Sequence, residues 1–256
     1  MINTKDKNQF ITSVKQEEGY PLARTQKVTV VLLAENYGYR MKSYGPISLI
    51  KVGDKTLLEH QVEAIRAAFI NFEILLCSGF ETSKVYHFVK NTFENSLPIR
   101  IVENQMFFHS NCCEGVRLCI NNASNDNIII CGGGVVLDAD YLRHLNMKKS
   151  SILCQEGEKD DIFNIGIINN GSSRLENLSL AVQSPVWTEL IYLTGETTIR
   201  SFYNLVSKPE MKNKFLFEAI NTWRARKQLN IDFLKTGKKI NKIDNIKTLK
   251  RINKEL

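Results

Sequence analysis

The stretch VVLLAENYGYRMKSYGPISLIKV, residues 30–52, runs from an apolar segment into a loop with a glycine and basic side chains, the layout of a strand and loop that hold a nucleotide. A second apolar run, NIIICGGGVVL (residues 127–137), contains three consecutive glycines, Gly132 to Gly134. Missing side chains there either let a ligand reach backbone amides or allow a tight turn out of a buried strand. Asp138 and Asp140 follow, and the plainer role of Asp138 is to cap a helix through YLRHL. Trp187, Tyr192 and Trp223 are of the type that faces a quaternary ammonium through cation–π contact, although core packing is the commoner fate of such rings.

Other chemistries find no support. His60, His87, His109 and His144 are scattered without H-x-E or H-E-x-x-H spacing, and no G-x-S-x-G elbow occurs, so neither a metal hydrolase nor an acyl-enzyme is indicated. The six cysteines include an adjacent pair but no C-x-x-C, which argues against zinc or a disulfide framework. KFLFEAINTWRARKQ interleaves aromatics with charges as a nucleic-acid groove does, but Phe215, Ala219 and Trp223 are spaced for the apolar face of a helix, and nucleic acid is not an expected partner.

The elements that must position these residues alternate. VTVVLLA is too short and too β-branched for a helix and reads as a strand covered on both faces. TLLEHQVEAIRAAF is an amphipathic helix; EILLCSG, PIRIVEN and NIIICGGGVVL read as strands, and SKVYHFVKNTF and NCCEGVRLCINNA as helices between them. The alternation predicts a mostly parallel sheet with helices on both faces and ligands at the carboxyl ends of its strands. The loops to inspect are 34–48, 78–83, 103–111 and 131–139. Beyond residue 145 the pattern loosens: SSILCQ and FNIGIINN read as strands, WTELIYLTG and MKNKFLFEAINTWRARKQ as helices, INKIDN as a short strand or turn, and IKTLKRINKEL as a last helix.

At 256 residues, with 43% hydrophobic and 24% charged residues, the chain suits one globular α/β domain. It has no run of about 18 apolar residues and MINTKDKNQF has no secretory core, so no membrane role and a cytoplasmic location are expected. The net charge of +7 is C-terminal: from Lys208 onward there are 14 Lys or Arg against 5 Asp or Glu. A solvated helical tail accounts for it, with attraction to an anionic ligand as the alternative. The Asn, Ile and Lys bias suggests an AT-rich microbial or viral genome and, if viral, association with the virion.

LLAENYGYRM (32–41) followed by PISLIKVGDKTLLEHQVEAI (46–65) is similar to the start of the sugar-phosphate and choline-phosphate nucleotidyltransferases, whose pattern is L-A-A-G-x-G-[TS]-R-M, then P-K-P-L, V, G-K and L-L. Leu33, Ala34, Gly38, Arg40, Met41, Pro46, Leu49, Val52, Gly53, Lys55, Leu57 and Leu58 fall in place. IRIVENQMFFHSN resembles that family's strand ending in an Asn and an aromatic before a second Asn, IIICGGGVVLDADYL its strand ending in G-D-V-V-F-D, and INKIDNIKTLKRI its E-I-D segment and last helix. The resemblance spans residues 28–252.

The resemblance implies a three-layer α/β/α fold of the glycosyltransferase-A type with a mostly parallel mixed sheet. Residues 1–26, polar and weakly periodic, read as an N-terminal extension, and the resemblance places a nucleotide-binding half at 27–145 and an acceptor half with the basic C-terminal helices at 146–256. It assigns Arg40 to catalysis, Leu33, Ala34, Gly38, Asn111, Gly133 and Gly134 to nucleotide contact, and Asp244 to Mg²⁺, for which Asp138 is the second candidate ligand. An active member joins a nucleoside triphosphate to a phosphorylated small molecule and releases pyrophosphate, with the metal bridging phosphate oxygens.

Several of the family's ligand positions are changed here. Its close-approach glycine is Asn36, the Ala before it is Glu35, its small Thr or Ser is Tyr39, and its P-K lysine is Ile47. Its first metal aspartate falls on Gly133 or Gly134; the second is retained as Asp244, with Asp138 or Asp140 as the candidate replacement for the first. Lys42 or Lys51 could replace the phosphate lysine. A carboxylate at Glu35 beside triphosphate would repel it by several kcal/mol at an effective dielectric of about 20. Two expectations follow: a nucleotidyltransferase-like protein without the chemistry, working with a protein partner or a second copy of itself, or an active Mg²⁺-dependent enzyme.

Overall fold

A computed structural model describes residues 25–36, 41–93, 97–157, 164–169, 171–180, 182, 184–227, 231–237 and 239–255. Residues 1–24 of the expected N-terminal extension, and Gly38 and Arg40, lie outside the described residues.

The chain opens with β1 (Val28–Ala34), then the hairpin strands β2 (Lys51–Val52) and β3 (Lys55–Thr56), α1 (Leu57–Ala68), β4 (Phe72–Ser78) and α2 (Thr82–Phe93). Next come β5 (Ile99–Glu103), α3 (Cys112–Asn122), β6 (Asn127–Gly132), α4 (Ala139–Arg143), β7 (Ser151–Gln155), β8 (Gly166–Ile168) and β9 (Asn177–Ser179). The chain closes with β10 (Val186–Thr194), α5 (Glu196–Val206), α6 (Leu216–Lys227), β11 (Asp232–Lys235) and α7 (Ile246–Glu255).

All seven residues of β1 are buried because it lies between β4 and β6, parallel to both, with a core on each face. Val31 and Leu33 face a core that includes Cys77, Val116 and Phe202, whereas Val30 and Leu32 face one that includes Leu58, Val62 and Ile65. Residues alternate across a strand, so covering both faces demands the continuous apolar run seen in the sequence. Helix α1 starts at a reciprocal cap in which Thr56 accepts from the Glu59 amide and Glu59 accepts from the Thr56 amide.

The sheet has nine strands in the order β11-β7-β10-β6-β1-β4-β5, with β8 and β9 attached through β10. It is mixed: β10 runs antiparallel to β6 and β7, and the pairs among β6, β1, β4 and β5 and between β11 and β7 are parallel. From β1 the chain moves outward to β4 and β5, then returns to the other side of β1 as β6. That reversal opens a crevice at the carboxyl ends of β1 and β6.

Three expectations are corrected. WTELIYLTG is the long strand β10, not a helix: wedged between β6 and β7, it buries both faces, and a run without alternation has no period to separate strand from helix. The strand through NIIICGGGVVL stops at Gly132, and Val135 instead bridges to Lys242. Phe215 precedes α6 and is 54% exposed, so the buried face of that helix is Leu216, Ala219, Ile220 and Trp223. Helix α5 and strand β11 carry no expectation from the sequence. Among the described residues no helix is long and apolar enough to cross a membrane.

Candidate functional site

At the carboxyl end of β6 the glycine run is packed, not open. A Cβ on Gly133 would stand 2.2 Å from the Leu33 carbonyl oxygen. On Gly134 it would stand 2.5 Å from the Ile243 carbonyl oxygen and 3.2 Å from Cδ1 of Ile47. Gly133 and Gly134 are both buried. Their carbonyls are engaged as well, the Gly133 oxygen accepting from the Gln61 amide and the Gly134 oxygen from the Ile243 N–H. Of the two readings of this run, the structure favours the tight turn.

Residues 134–136 lie antiparallel to 241–243, through Val136 N–H to Asn241 O and the Val135–Lys242 bridge. This brings the C-terminal K-I-D segment to the end of β6, beside the crevice. The Asp244 carboxylate accepts from the side chains of Asn245 (2.6 Å) and Thr248 (3.3 Å) at the start of α7. Asp138 serves as the cap of α4, accepting from the Asp140 amide at 2.8 Å, and Asp140 pairs with Arg143.

Mg²⁺ does not fit this donor set. The glycines offer no carboxylate, Asp138 is committed to a helix end, and among the described residues no three His, Cys, Asp or Glu side chains converge as metal ligands.

Glu189 and Lys242 were not singled out from the sequence. Glu189 sits where the β10–β7 register slips between Trp187 and Ile191, and it holds φ at 61°. That left-handed backbone is strained for a residue other than glycine, Asn or Asp. It carries the carboxylate over Gly132, where an added Cβ would meet Glu189 Oε2 at 2.2 Å. Lys242 Nζ donates to Glu189 Oε1 at 2.5 Å. The signal for Lys242 was present, since it reverses the charge of the first residue in the E-I-D pattern. Glu189 was hidden by the helix reading.

Glu189, Lys242 and Asp244 line one cleft together with Trp187, Thr248 and Arg251. Of the three aromatics proposed for an ammonium, only Trp187 reaches this cleft. Tyr192 is fully buried, its hydroxyl within hydrogen-bonding distance of the Asn127 side chain and the Met147 carbonyl, and Trp223 packs on Phe202 with its indole N–H on Ser201.

Leu33 and Ala34 end β1, buried, opposite Cys77 and Ser78 of β4. Asn111 caps α3, its side chain accepting from the Cys112 amide at 2.8 Å. Glu35 is not aimed at a phosphate: its carboxylate is buried against Gly115 of α3, where an added Cβ would meet Oε1 at 2.4 Å and the Cys77 sulfur at 2.9 Å. Neither carboxylate oxygen has a hydrogen-bond partner of good geometry, and burial pushes its pKa up to about 7 despite the nearby Cys77 thiol.

No family model and no curated protein matches the sequence. Solved structures do match. CTP:phosphocholine cytidylyltransferase from Streptococcus pneumoniae superposes with a TM-score of 0.71 at 16% identity, covering 90% of this chain and 99% of that one. The inositol-1-phosphate CTP transferase of T. maritima gives 0.71 at 11% identity over 92% and 99%. A UDP-glucose pyrophosphorylase complexed with UDP-glucose gives 0.70 at 13% over 91% and 98%. At these identities the likeness is one of fold. The chain carries the α/β fold, built on a mixed central sheet, that these nucleotidyltransferases share.

Proposed function

We propose that this chain is a nucleotidyltransferase-like binding protein that holds a phosphorylated ligand in the cleft beside Asp244 without performing metal-assisted nucleotidyl transfer. One observation carries the reading: Ile47, at the position of the family's phosphate lysine, packs on Gly134, one of the two glycines on which its metal aspartate falls. A charged pair has been exchanged for an apolar side chain against a glycine. The backbone of Ile243 closes the space that a carboxylate at Gly134 would need. Loss of a phosphate cation and of a metal ligand each removes several kcal/mol of transition-state stabilisation, about 2–4 by analogy with the loss of an oxyanion-hole donor. The framework remains because core packing is independent of those groups.

The partner in this reading is a phosphorylated small molecule, with a protein or a second copy of the chain as the assembly partner, in the cytoplasm. The alternative of an active enzyme is favoured by Asp244, kept and placed in the cleft. Melting with CTP, UTP, GTP and dTTP, each with Mg²⁺, and a pyrophosphate-release assay with phosphocholine or a sugar phosphate separate the two. The expected result is a nucleotide-dependent rise in Tm with no pyrophosphate above the protein-free blank. Release that depends on both nucleotide and acceptor would overturn the proposal.

A further inference from the structure

We infer that the open edge of the sheet pairs with its counterpart in a second copy of the chain, β5 against β5, antiparallel about Ile101. This selects the second copy from the assembly partners named above and does not depend on the cleft. Strand β5 ends the sheet and, among the described residues, pairs with β4 alone. Its bonds to β4 come from alternate positions: the Pro98 carbonyl accepts from the Ile74 N–H at 2.8 Å, and the Asn104 N–H donates to the Ser78 carbonyl at 2.7 Å. The peptide groups of Ile99, Ile101 and Glu103 therefore point out of the sheet edge. Of these, among the described residues, the Ile99 N–H alone is taken up, by the Leu97 carbonyl. Such a row of donors and acceptors is a template for another strand. With Ile101 on a two-fold axis, its N–H and carbonyl meet the same groups of the second copy, and the Glu103 N–H of each copy meets the Ile99 carbonyl of the other.

Charge selects the same arrangement. Helix α2 starts beside the carboxyl end of β4, where Thr82 bonds Ser78, and returns towards the amino end of β5. Lys90, in its last turn, and Glu103 therefore stand at opposite ends of one groove, whose apolar lining is Tyr86, Val89, Phe93, Leu97, Ile99 and Ile101. Neither charge has an ion-pair partner among the described residues. An antiparallel pair sets the carboxyl end of one strand beside the amino end of the other, so Glu103 of each copy comes beside Lys90 of the other. A parallel pair would set like charges side by side, so complementarity favours the two-fold arrangement. The groove also offers apolar surface to cover: Tyr86 is 54% exposed, and Ile99 and Ile101 are only half-buried by the core behind them.

Sedimentation velocity of the full chain across the micromolar range tests this, with K90E, E103K, the doubly reversed variant and I101K. The wild type is expected to dimerise. Each single reversal puts two like-charged pairs into the interface and is expected to weaken the dimer by about tenfold or more, whereas the double variant restores it to within about threefold. I101K, which sets two ammonium groups on the axis, is expected to be monomeric. Melting curves for the four variants establish that they are folded. A wild type that stays monomeric leaves the edge to a different protein or to this chain's own N-terminal residues, and overturns the inference. So does a dimer that is indifferent to K90E and E103K, or one that the double reversal fails to restore. A monomer whose Tm rises with nucleotide would leave the phosphorylated-ligand reading standing and remove only this inference. A dimer with the expected responses but no effect of nucleotide would do the reverse.

Discussion

The Glu35 carboxylate is buried between β1 and α3, and neither oxygen has a hydrogen-bond partner of good geometry. Its direction was implicit in the strand period: Val31 and Leu33 face the α3 side, and two residues on, Glu35 does too. A matching of loop residues to a phosphate pattern overlooks that parity. The consequence is a pH dependence of known sign. The unfolded chain ionises Glu35 near its ordinary value of 4.5 and the folded chain near 7, so between those values the native state binds more protons than the unfolded state. Stability therefore falls as pH rises through this window and levels off above it, by about 3 kcal/mol in all. Urea unfolding of E35Q is expected to lack this fall. If wild type and variant lose stability in parallel, the dependence originates elsewhere.

At the level of elements, the contact of α3 with β1 and β4 depends on Gly115. Glycine inside a helix costs about 1 kcal/mol relative to alanine, so its presence here has a packing reason. The added Cβ of Gly115→Ala would strike the Glu35 carboxylate at 2.4 Å and the Cys77 sulfur at 2.9 Å, forcing α3 away from the sheet. The net effect expected in wild type is destabilisation of about 1–3 kcal/mol. In an E35A background the nearer obstacle is gone and only the Cys77 sulfur remains, so the same substitution is expected to cost less than in wild type. Denaturant midpoints of the two single variants and the double variant check this coupling, and additive effects would show that Glu35 and α3 are not coupled. The elements of the first half were legible because each had a clean signal: the apolar run of β1 and the helical spacing of Leu57, Leu58, Val62 and Ile65 in α1. Strand β10 was not, because burial on two faces erased its alternation. With it went the site's most unusual residue, Glu189, whose backbone geometry no local pattern announces.

Across the whole molecule, the nucleotide-binding and acceptor halves expected at 27–145 and 146–256 share one sheet. Strand β10 of the second half pairs with β6 of the first from Leu190–Cys131 to Thr194–Asn127. The core on the α3 face also mixes the halves, with Val31, Cys119 and Ile130 in one cluster with Phe202, Ile220 and Trp223. Neither half keeps its core if the other unfolds: without β10 the central strand β6 loses its antiparallel neighbour, and without α3 the apolar faces of α5 and α6 meet water. The chain is therefore expected to unfold in a single cooperative step. Both tryptophans, Trp187 and Trp223, lie in the second half, so their fluorescence reports that half, whereas far-UV circular dichroism reports both. The two urea curves should share one midpoint and one slope, and a ligand held in the cleft should move both curves together. A fluorescence change complete before the dichroism change would mean that the acceptor half melts independently, and the boundary near residue 145 would then mark two folding units.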